Sequence, residues 1–303
     1  MRHAIVLRAA LITLVVAGFL PARARACSQC MCGNPFPTDV LGVSQSFSAR
    51  FGVEDRYLSK SNALDDEPGT EEEQSHRLAP FALFRPSTKF MLIGKLPYVF
   101  KQVTETPTGE AARLTNTRGL GDAEMMSFLE AFDSGRGGAF SLIAGGTAPT
   151  GSNNVTDDMG QRLDAHSQPG TGAWSGTTGA DYNVATPAGR FDLNASMRWN
   201  GTSAHGYHYG TTALFNAGLT HRFGGNWQGM LQLNGRTAER DQLEGGGTGE
   251  NTGGTVLYVA PGARWLGFAG LALEAAVQIP VVESLYGVQD EHATARFALS
   301  YAP

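Results

Sequence analysis

Apolar and polar side chains alternate along most of this chain with a period of two, which is the signature of β-strands that bury one face. From Phe191 to Trp199 every second residue is apolar, and the residues between them are polar or charged. The segment from Val43 to Arg56 has the same alternation. We predict twelve strands, at residues 43–57, 74–85, 88–102, 119–132, 137–149, 172–185, 188–201, 206–222, 226–239, 252–265, 268–280 and 292–301. The alternation is poor in 119–132 and 137–149, and the apolar residues from Met125 to Leu129 also fit a helical patch. We predict strands there because the glycines of both segments disfavour helix.

The connections between these strands alternate in length along the chain. The long ones are 58–73, 103–118, 150–171, 201–205, 240–251 and 281–291, and the short ones are 86–87, 133–136, 186–187, 223–225 and 266–267. Outer-membrane barrels have short periplasmic turns and longer outer loops, and an even strand count places both chain termini in the periplasm. We therefore predict an all-β fold, a transmembrane antiparallel up-and-down β-barrel of about twelve strands over residues 43–303. A soluble sandwich that buries the apolar face is the structural alternative.

Aromatic residues fall near the predicted strand ends. Trp199, Tyr207 and Tyr209 lie beside an outer loop, and Trp227, Trp265 and Tyr301 lie beside periplasmic turns. Amphipathic rings prefer the two membrane interfaces, so this placement predicts two girdles. The alternative is that these rings pack a core.

The first residues predict export. Arg2, His3 and Arg8 precede an apolar run from Ala9 to Leu20, and Ala24-Arg25-Ala26 presents small residues where a signal peptidase cleaves. We predict a signal peptide over residues 1–26, because the apolar run is shorter than the roughly 20 residues of a spanning helix. The predicted location is the outer membrane of a Gram-negative bacterium.

Closing the sheet would place one face of every strand in lipid and the other in the lumen. Both signs of charge occur on the inward face. Such a set forms either a salt-bridged network that fills a narrow barrel or a polar path for a small solute, and segments 150–171 and 244–254 are candidates for folding inward. The candidate lumen-lining residues are Arg50, Glu54, Lys95, Asp122, Glu124, Asp192, Arg198, Arg236, Glu274 and Gln278, with Arg56, Asp181 and Arg296 beside them.

All three cysteines lie in the predicted N-terminal segment 27–42, as Cys27, Cys30 and Cys32. Three thiolates at this spacing suit Cu(I) or Zn(II). An oxidising periplasm also favours one disulfide and one odd thiol, and Cys27 is a third candidate, for lipid attachment. These alternatives stay open. The metal-binding alternative implies a barrel that presents a metal or redox segment to the periplasm, and we predict no other cofactor.

The composition argues against other functions. A net charge of −5 disfavours nucleic acid as a partner. Ser203, His205 and His208 form the one cluster with nucleophile chemistry, and they lack a recognisable nucleophile motif. We therefore predict that the chain is not an enzyme.

Several motifs resemble a known family of bacterial outer-membrane barrels. They are Cys30-Met31-Cys32-Gly33, Gly119-Leu120-Gly121-Asp122, Pro169-Gly170-Thr171-Gly172, the run from Gly253 to Gly262, Gln278-Ile279-Pro280-Val281 and Tyr286-Gly287-Val288-Gln289. In these motifs the chain resembles the phenol meta-pathway transporters, in particular a branch with a Cys-rich N-terminus. The resemblance implies a pore-like barrel for small molecules, with outer-membrane lipid, the solute and the barrel assembly machinery as partners. One departure is that Ala302-Pro303 follows Tyr301, where many such barrels end in an aromatic residue.

Overall fold

The computed structural model describes residues 48–64, 68–133 and 137–303, and their strands form one continuous sheet. A single turn of 3-10 helix, Phe268–Gly270, precedes one strand, and no helix within the described ranges is long and apolar enough to cross a membrane. The strands are β1 Ala49–Ala63, β2 Gly69–Ser87, β3 Phe90–Lys95, β4 Tyr98–Pro107, β5 Arg113–Leu120, β6 Ala123–Asp133, β7 Gly138–Ala148, β8 Ser175–Thr186, β9 Gly189–Asn200, β10 Thr212–Gly224, β11 Trp227–Ala238, β12 Gly254–Leu266, β13 Leu271–Leu285, β14 Gln289–Glu291 and β15 Thr294–Tyr301.

The sheet closes on itself. Strand β1 pairs antiparallel with β2 on one side and with β14 and β15 on the other. Three barrel strands are interrupted by two residues each, between β3 and β4, between β5 and β6, and between β14 and β15. The fifteen segments therefore make twelve barrel strands, and the prediction of a twelve-stranded antiparallel barrel is confirmed.

The barrel is inverted relative to a soluble protein, with apolar side chains outside and polar side chains inside. Phe51, Leu193 and Phe297 are 53%, 44% and 56% exposed, whereas Glu54 and Asn216 are 4% and 0% exposed. An apolar outer surface of this kind requires lipid around it, because water would penalise every exposed apolar side chain. The soluble sandwich is therefore excluded.

One apolar cluster lies inside the periplasmic half of the barrel. It explains why the alternation of segments 119–132 and 137–149 is weak in the sequence although both are strand: Met126 and Phe128 point inward, while Met125 and Leu129 are exposed outside. The first segment is interrupted at Gly121 and Asp122, and its register with β7 shifts between Glu130 and Phe132. In these segments several of the inward residues are apolar as well as the outward ones, so the sequence does not alternate regularly between polar and apolar residues. The cluster consists of Leu83, Met91, Ile93, Met126, Phe128 and Ile143.

Three of the predicted outer loops, 58–73, 103–118 and 281–291, are wrong, because most of their residues are strand. Among the described residues, the connections that remain there are 108–112 and 286–288, and the third predicted loop is strand over 58–63 and 69–73. Polar side chains stabilise these extensions from within, as the Lys60–Glu73 ion pair at 2.9 Å shows. Loss of apolar alternation therefore marks the end of the hydrocarbon zone and not the end of the strand.

The predicted strand 206–222 and part of the outer girdle are also wrong. The strand begins only at Thr212, and Tyr207 and Tyr209 are 3% and 4% exposed in the loop before it. Their alternation turns both rings toward the barrel axis, where neighbouring loops cover them. Trp199, Trp227 and Tyr301 do lie on the outer surface, at 46%, 55% and 46% exposure.

Candidate functional site in the barrel interior

The centre of the lumen contains a buried carboxylate surrounded by three cations. Glu54 lies 2.7 Å from Arg296, 3.1 Å from Lys95 and 3.2 Å from Arg56. All four side chains point inward from strands β1, β3 and β15, and Lys95 reaches Glu54 across β2, where Ala79 stands opposite Glu54. A buried carboxylate is tolerated in such a place because opposite charges and hydrogen bonds replace its water shell.

The same network continues along the wall on both sides of Glu54. On one side Arg296 also contacts Glu274, which lies 2.6 Å from Arg264 on β12. On the other side Arg77 of β2 contacts Glu124 of β6. Alternating charges thus run along one half of the barrel wall, which we call the charged wall.

The opposite half of the interior contains, among charged side chains, a row of uncharged amides. Asn194, Asn216 and Asn234 stand directly opposite one another on β9, β10 and β11. The Asn216 amide nitrogen donates to Asn234, whose own amide nitrogen donates to Gln278 Oε1 at 2.5 Å. We call this feature the amide row. It turns both donors and acceptors toward the lumen.

The amide row and its neighbours hold more hydrogen-bonding groups than the protein itself satisfies. Within the described part of the chain, Thr177 Oγ1, Ser196 Oγ and Asn216 Oδ1 are buried without a hydrogen-bond partner. Buried polar atoms of this kind are rare, and each has a desolvation cost that a water or a solute would relieve. The row is therefore suited to contact a small polar molecule.

The remaining predicted lumen residues are distributed over other parts of the interior. Asp192 lies 3.5 Å from Arg190, and Arg236 lies 2.7 Å from Glu291. Arg198 is 8% exposed on β9, and Asp181 stands opposite Asn194 at the end of the amide row. Arg50 lines a cavity of about 20 Å³ together with Arg264, Glu274 and Arg296.

Asp122 has a different role from the other predicted residues, because it anchors a loop. It sits in the interruption between β5 and β6 and accepts hydrogen bonds from the backbone of Gly151 at 2.9 Å and of Thr171 at 2.8 Å. The Thr171 hydroxyl donates to it as well, at 2.5 Å. The loop ends cross so closely that a Cβ on Gly170 would lie 2.7 Å from the Gly151 backbone. Asp122 therefore fixes both ends of loop 149–174, which we call the cap loop.

The cap loop folds into the outer mouth, as predicted for 150–171. Lys101 donates to the His166 carbonyl oxygen, and Thr117 Oγ1 donates to the Ser167 carbonyl oxygen at 2.7 Å. Both donors point into the lumen from β4 and β5. Segment 244–254 was predicted to fold inward too, and this is wrong for its first half, because Glu244 to Thr248 are exposed. Gly245, Gly246 and Gly247 all have positive φ, and they turn the chain back at the rim.

A chain of hydrogen bonds ties the cap loop to two neighbouring loops. The Tyr207 hydroxyl donates to Asp241 Oδ2 at 2.7 Å and lies 3.0 Å from His166 Nε2. Arg162 of the cap loop pairs with Glu244 at 2.8 Å. Burial lowers the pKa of His166 from its ordinary value, so this imidazole is held neutral.

The sequence signalled some of these partners only weakly. Lys60, Glu73 and Lys101 form a buried triad near the cap, with Glu73 2.9 Å from Lys60 and 3.3 Å from Lys101. All three were predicted to be in loops or at a loop boundary. Lys60 follows Glu54 and Arg56 on β1 at an even spacing. Residues at even spacing share one face of a strand, and this is the signal that would have placed Lys60 inside.

The Ser203, His205 and His208 cluster is not assembled as a catalytic site. The Ser203 hydroxyl accepts from the Tyr207 backbone at 3.1 Å, and His205 Nε2 lies 2.7 Å from Asn154 Oδ1. The described residues contain no group of three His, Cys, Asp or Glu that could hold a metal. Cys27, Cys30 and Cys32 and the predicted signal peptide lie outside the described residues, so the signal peptide and the metal, disulfide and lipid alternatives stay predictions.

Comparison with known proteins places this architecture among outer-membrane barrels. A family model described as "Putative MetA-pathway of phenol degradation" matches residues 80–286. An outer-membrane channel from Pseudomonas putida F1 superposes with a TM-score of 0.68 at 14% identity, covering 89% of this chain and all (100%) of that chain. The translocator domain of the autotransporter NalP from Neisseria meningitidis gives 0.52 at 12% identity, covering 88% and 92%. No curated protein is similar to the chain in sequence.

Proposed function

Since the chain belongs to the family described as "Putative MetA-pathway of phenol degradation" and is a closed barrel of the outer membrane, we propose that it is a narrow channel for a small solute. The similar barrel from Pseudomonas putida F1 is described as an outer-membrane channel. A twelve-stranded barrel encloses less space than a water-filled porin of about 16–18 strands, so only small molecules would pass through it.

The division of the interior supports this proposal and indicates the chemistry of the solute. The charged wall is largely self-neutralised, whereas the amide row has unused donors and acceptors. Leu214 projects from β10 next to Asn216, and Met230 shares the inward face of β11 four residues from Asn234; they are 7% and 5% exposed. A solute with an apolar ring and a hydroxyl group would suit both kinds of contact. We therefore propose a weakly polar aromatic solute of the phenol kind, in agreement with the family description.

The observation that carries the proposal is the amide row with unsatisfied buried oxygen atoms. Its test is single-channel recording from the purified barrel in a planar bilayer, with phenol added as a blocker. We expect small conductance steps that phenol interrupts at concentrations where glucose has no effect. The double variant Asn216→Leu/Asn234→Leu should weaken the phenol block by about tenfold, as two hydrogen bonds at roughly 0.5–1.5 kcal/mol each would give.

The control is Thr106→Leu, an exposed position at the outer rim of β4. It should leave both the conductance and the phenol block unchanged. A wild-type barrel that neither conducts ions nor binds phenol would overturn the channel proposal itself. A conducting barrel whose phenol block ignores the double variant would overturn the assignment of the amide row.

A further inference from the structure

The outward face of three neighbouring strands, β2, β4 and β5, becomes more polar toward the outer rim. Leu78, Tyr98 and Leu120 stand side by side on β2, β4 and β5 as the last continuous apolar row. Two residues nearer the outer rim, His76, Phe100 and Arg118 stand side by side on the same three strands. Both rows follow the strand register, so this change is a feature of the folded surface.

These strands form a recess on the barrel exterior just above the apolar row. The recess has a volume of about 590 Å³. We call it the outer-leaflet patch, and its outward-facing lining is Tyr57, His76, Phe100, Gln102, Asn116 and Arg118, with Gln74 at its edge.

Two strands elsewhere in the barrel, β9 and β13, differ from these. On β9 the outward residues stay apolar to the end of the strand, where Met197 and Trp199 are 42% and 46% exposed. On β13 the outward residues Val277 and Ile279 are likewise 41% and 46% exposed. The polar surface of β2, β4 and β5 is therefore not repeated on these two strands.

The depth of the patch determines what surrounds it. An outward Arg is far less favourable at the bilayer midplane than near an interface. Arg118 is exposed outside, directly above Leu120, so its favourable surroundings are the headgroup layer of the outer leaflet. Strands β1 and β2 continue outward to Ala63 and Gly69, so protein surface accompanies the headgroups for several residues.

We propose that the outer-leaflet patch binds the headgroup of a phosphorylated glycolipid in the outer leaflet. Arg118 supplies the bidentate donor that phosphate prefers. The amides of Gln102 and Asn116 offer donors and acceptors to sugar hydroxyls, and the Phe100 ring offers an apolar face for a sugar ring.

The imidazole beside these groups is already oriented. His76 Nδ1 lies 3.0 Å from Asp55 Oδ2, and the His76 ring lies 5.1 Å from the Tyr57 ring. This contact engages one oxygen of the Asp55 carboxylate, and His76 itself lines the patch. A second carboxylate, Glu72, accepts from Gln74 at 3.0 Å farther out. Asp55 and Glu72 reduce the net positive charge around Arg118. Selection of a glycolipid over other anionic lipids must therefore depend on contacts to its sugars as well as on its charge.

The test measures glycolipid retention by the full-length barrel, refolded without lipid and then mixed with short-chain lipopolysaccharide or phosphatidylglycerol in detergent. Native mass spectrometry counts the lipid that remains bound. We expect the wild type to retain the glycolipid in preference to phosphatidylglycerol. The triple variant Arg118→Gln/Gln102→Leu/Asn116→Leu should reduce retention by about tenfold, since hydrogen bonds to charged groups contribute roughly 1.5–3 kcal/mol.

The matched control is Arg113→Gln, which removes an exposed cation from the same strand, where it pairs with Glu110 at 2.7 Å. It should leave retention unchanged, and heat-modifiable gel mobility must show that every variant is folded. If the triple variant does not fold, the single Arg118→Gln variant decides. Equal retention by variant and wild type, or equal retention of the two lipids by the wild type, would overturn the proposal.

Discussion

At the scale of single residues, the interior depends on charges that neutralise one another within the barrel. Alternation in the sequence was sufficient to place Glu54 and Lys95 inside, because parity along a strand fixes the side of the sheet. It did not identify their partners, because Glu54 pairs with a residue 242 positions away, Arg296. The spacing of residues along the sequence cannot predict a contact that forms only when the barrel closes.

Replacing Glu54 by Gln should destabilise the barrel strongly. The substitution leaves Arg56, Lys95 and Arg296 buried without the carboxylate they share, and removing one partner of a buried ion pair costs about 3–5 kcal/mol. Urea titration followed by heat-modifiable gel mobility would measure the loss. Glu110→Gln breaks only an exposed pair and should cost less than about 1 kcal/mol. Equal midpoints for the two variants would contradict the importance of the charged wall.

His166 should make the cap sensitive to acid. Burial lowers its pKa below the ordinary 6.5, so the docked cap favours the neutral ring. Docking is then fully stable above pH 6.5 and weakens as the pH falls below it, because a released His166 gains a proton more readily than a docked one. The groups that face it are Lys60 on β1, Glu73 on β2, Lys101 on β4, Asp164 of the cap loop, and Asp241 and Tyr207 of the neighbouring loops.

Recordings between pH 7.5 and pH 4.5 would test this (roughly two units below the ordinary histidine pKa). We expect the open fraction of the channel to rise toward acid pH in the wild type. His166→Gln keeps a neutral hydrogen-bonding side chain and should flatten that dependence. An identical pH profile in the variant would assign the response to other titrating groups.

At the scale of elements, the strands were predictable and their ends were not. Period-two alternation located ten of the twelve barrel strands, since each must present one apolar face to lipid. The other two, at 119–132 and 137–149, alternate poorly and were predicted as strands because their glycines disfavour helix. It failed at 58–63 and 69–73, where the strand continues as a polar ribbon beyond the hydrocarbon. It also missed the interruption at Leu96 and Pro97, although the proline signals it, because proline cannot donate to a ladder.

Cap-loop anchoring at Asp122 should control access of protease to the loop. Arg162 is the sole basic residue of segment 149–174, so trypsin has one site there. Asp122→Ala removes three hydrogen bonds that hold Gly151 and Thr171, and the loop should open more often. At roughly 1 kcal/mol per bond, cleavage at Arg162 would accelerate by about tenfold or more. Asp158→Ala, an exposed position in the same loop, should leave the cleavage rate unchanged.

At the scale of the whole molecule, the outer surface of the barrel is apolar and its interior is polar, which is the reverse of a soluble protein. The sequence revealed this through loop lengths and alternation taken together, since neither alone distinguishes a barrel from a sandwich. The arrangement of the cap was beyond such reasoning. Tyr207 and Tyr209 looked like interface residues by their position along the chain, and only the packing of three loops shows that they are buried.

An outward substitution gives the sharpest test of this inversion. Leu231 is 55% exposed, and on a soluble protein Leu231→Arg would be nearly neutral. In a lipid-facing position the change should cost about 2–4 kcal/mol, with reduced amounts of heat-modifiable barrel in the membrane fraction. Thr106→Arg, exposed at the outer rim, is the control that should assemble normally. Normal assembly of both variants would contradict the membrane-facing assignment of β11.

Strand β15 is the sole link between β13 and the residues of β1 from Phe51 to Tyr57. Until Thr294–Tyr301 has paired on both sides, two rows of backbone amides and carbonyls stay open to hydrocarbon that cannot solvate them. Closure in the membrane therefore requires this one short segment. A chain truncated before Thr294 would keep two unpaired strand edges and should be degraded instead of accumulating in the outer membrane.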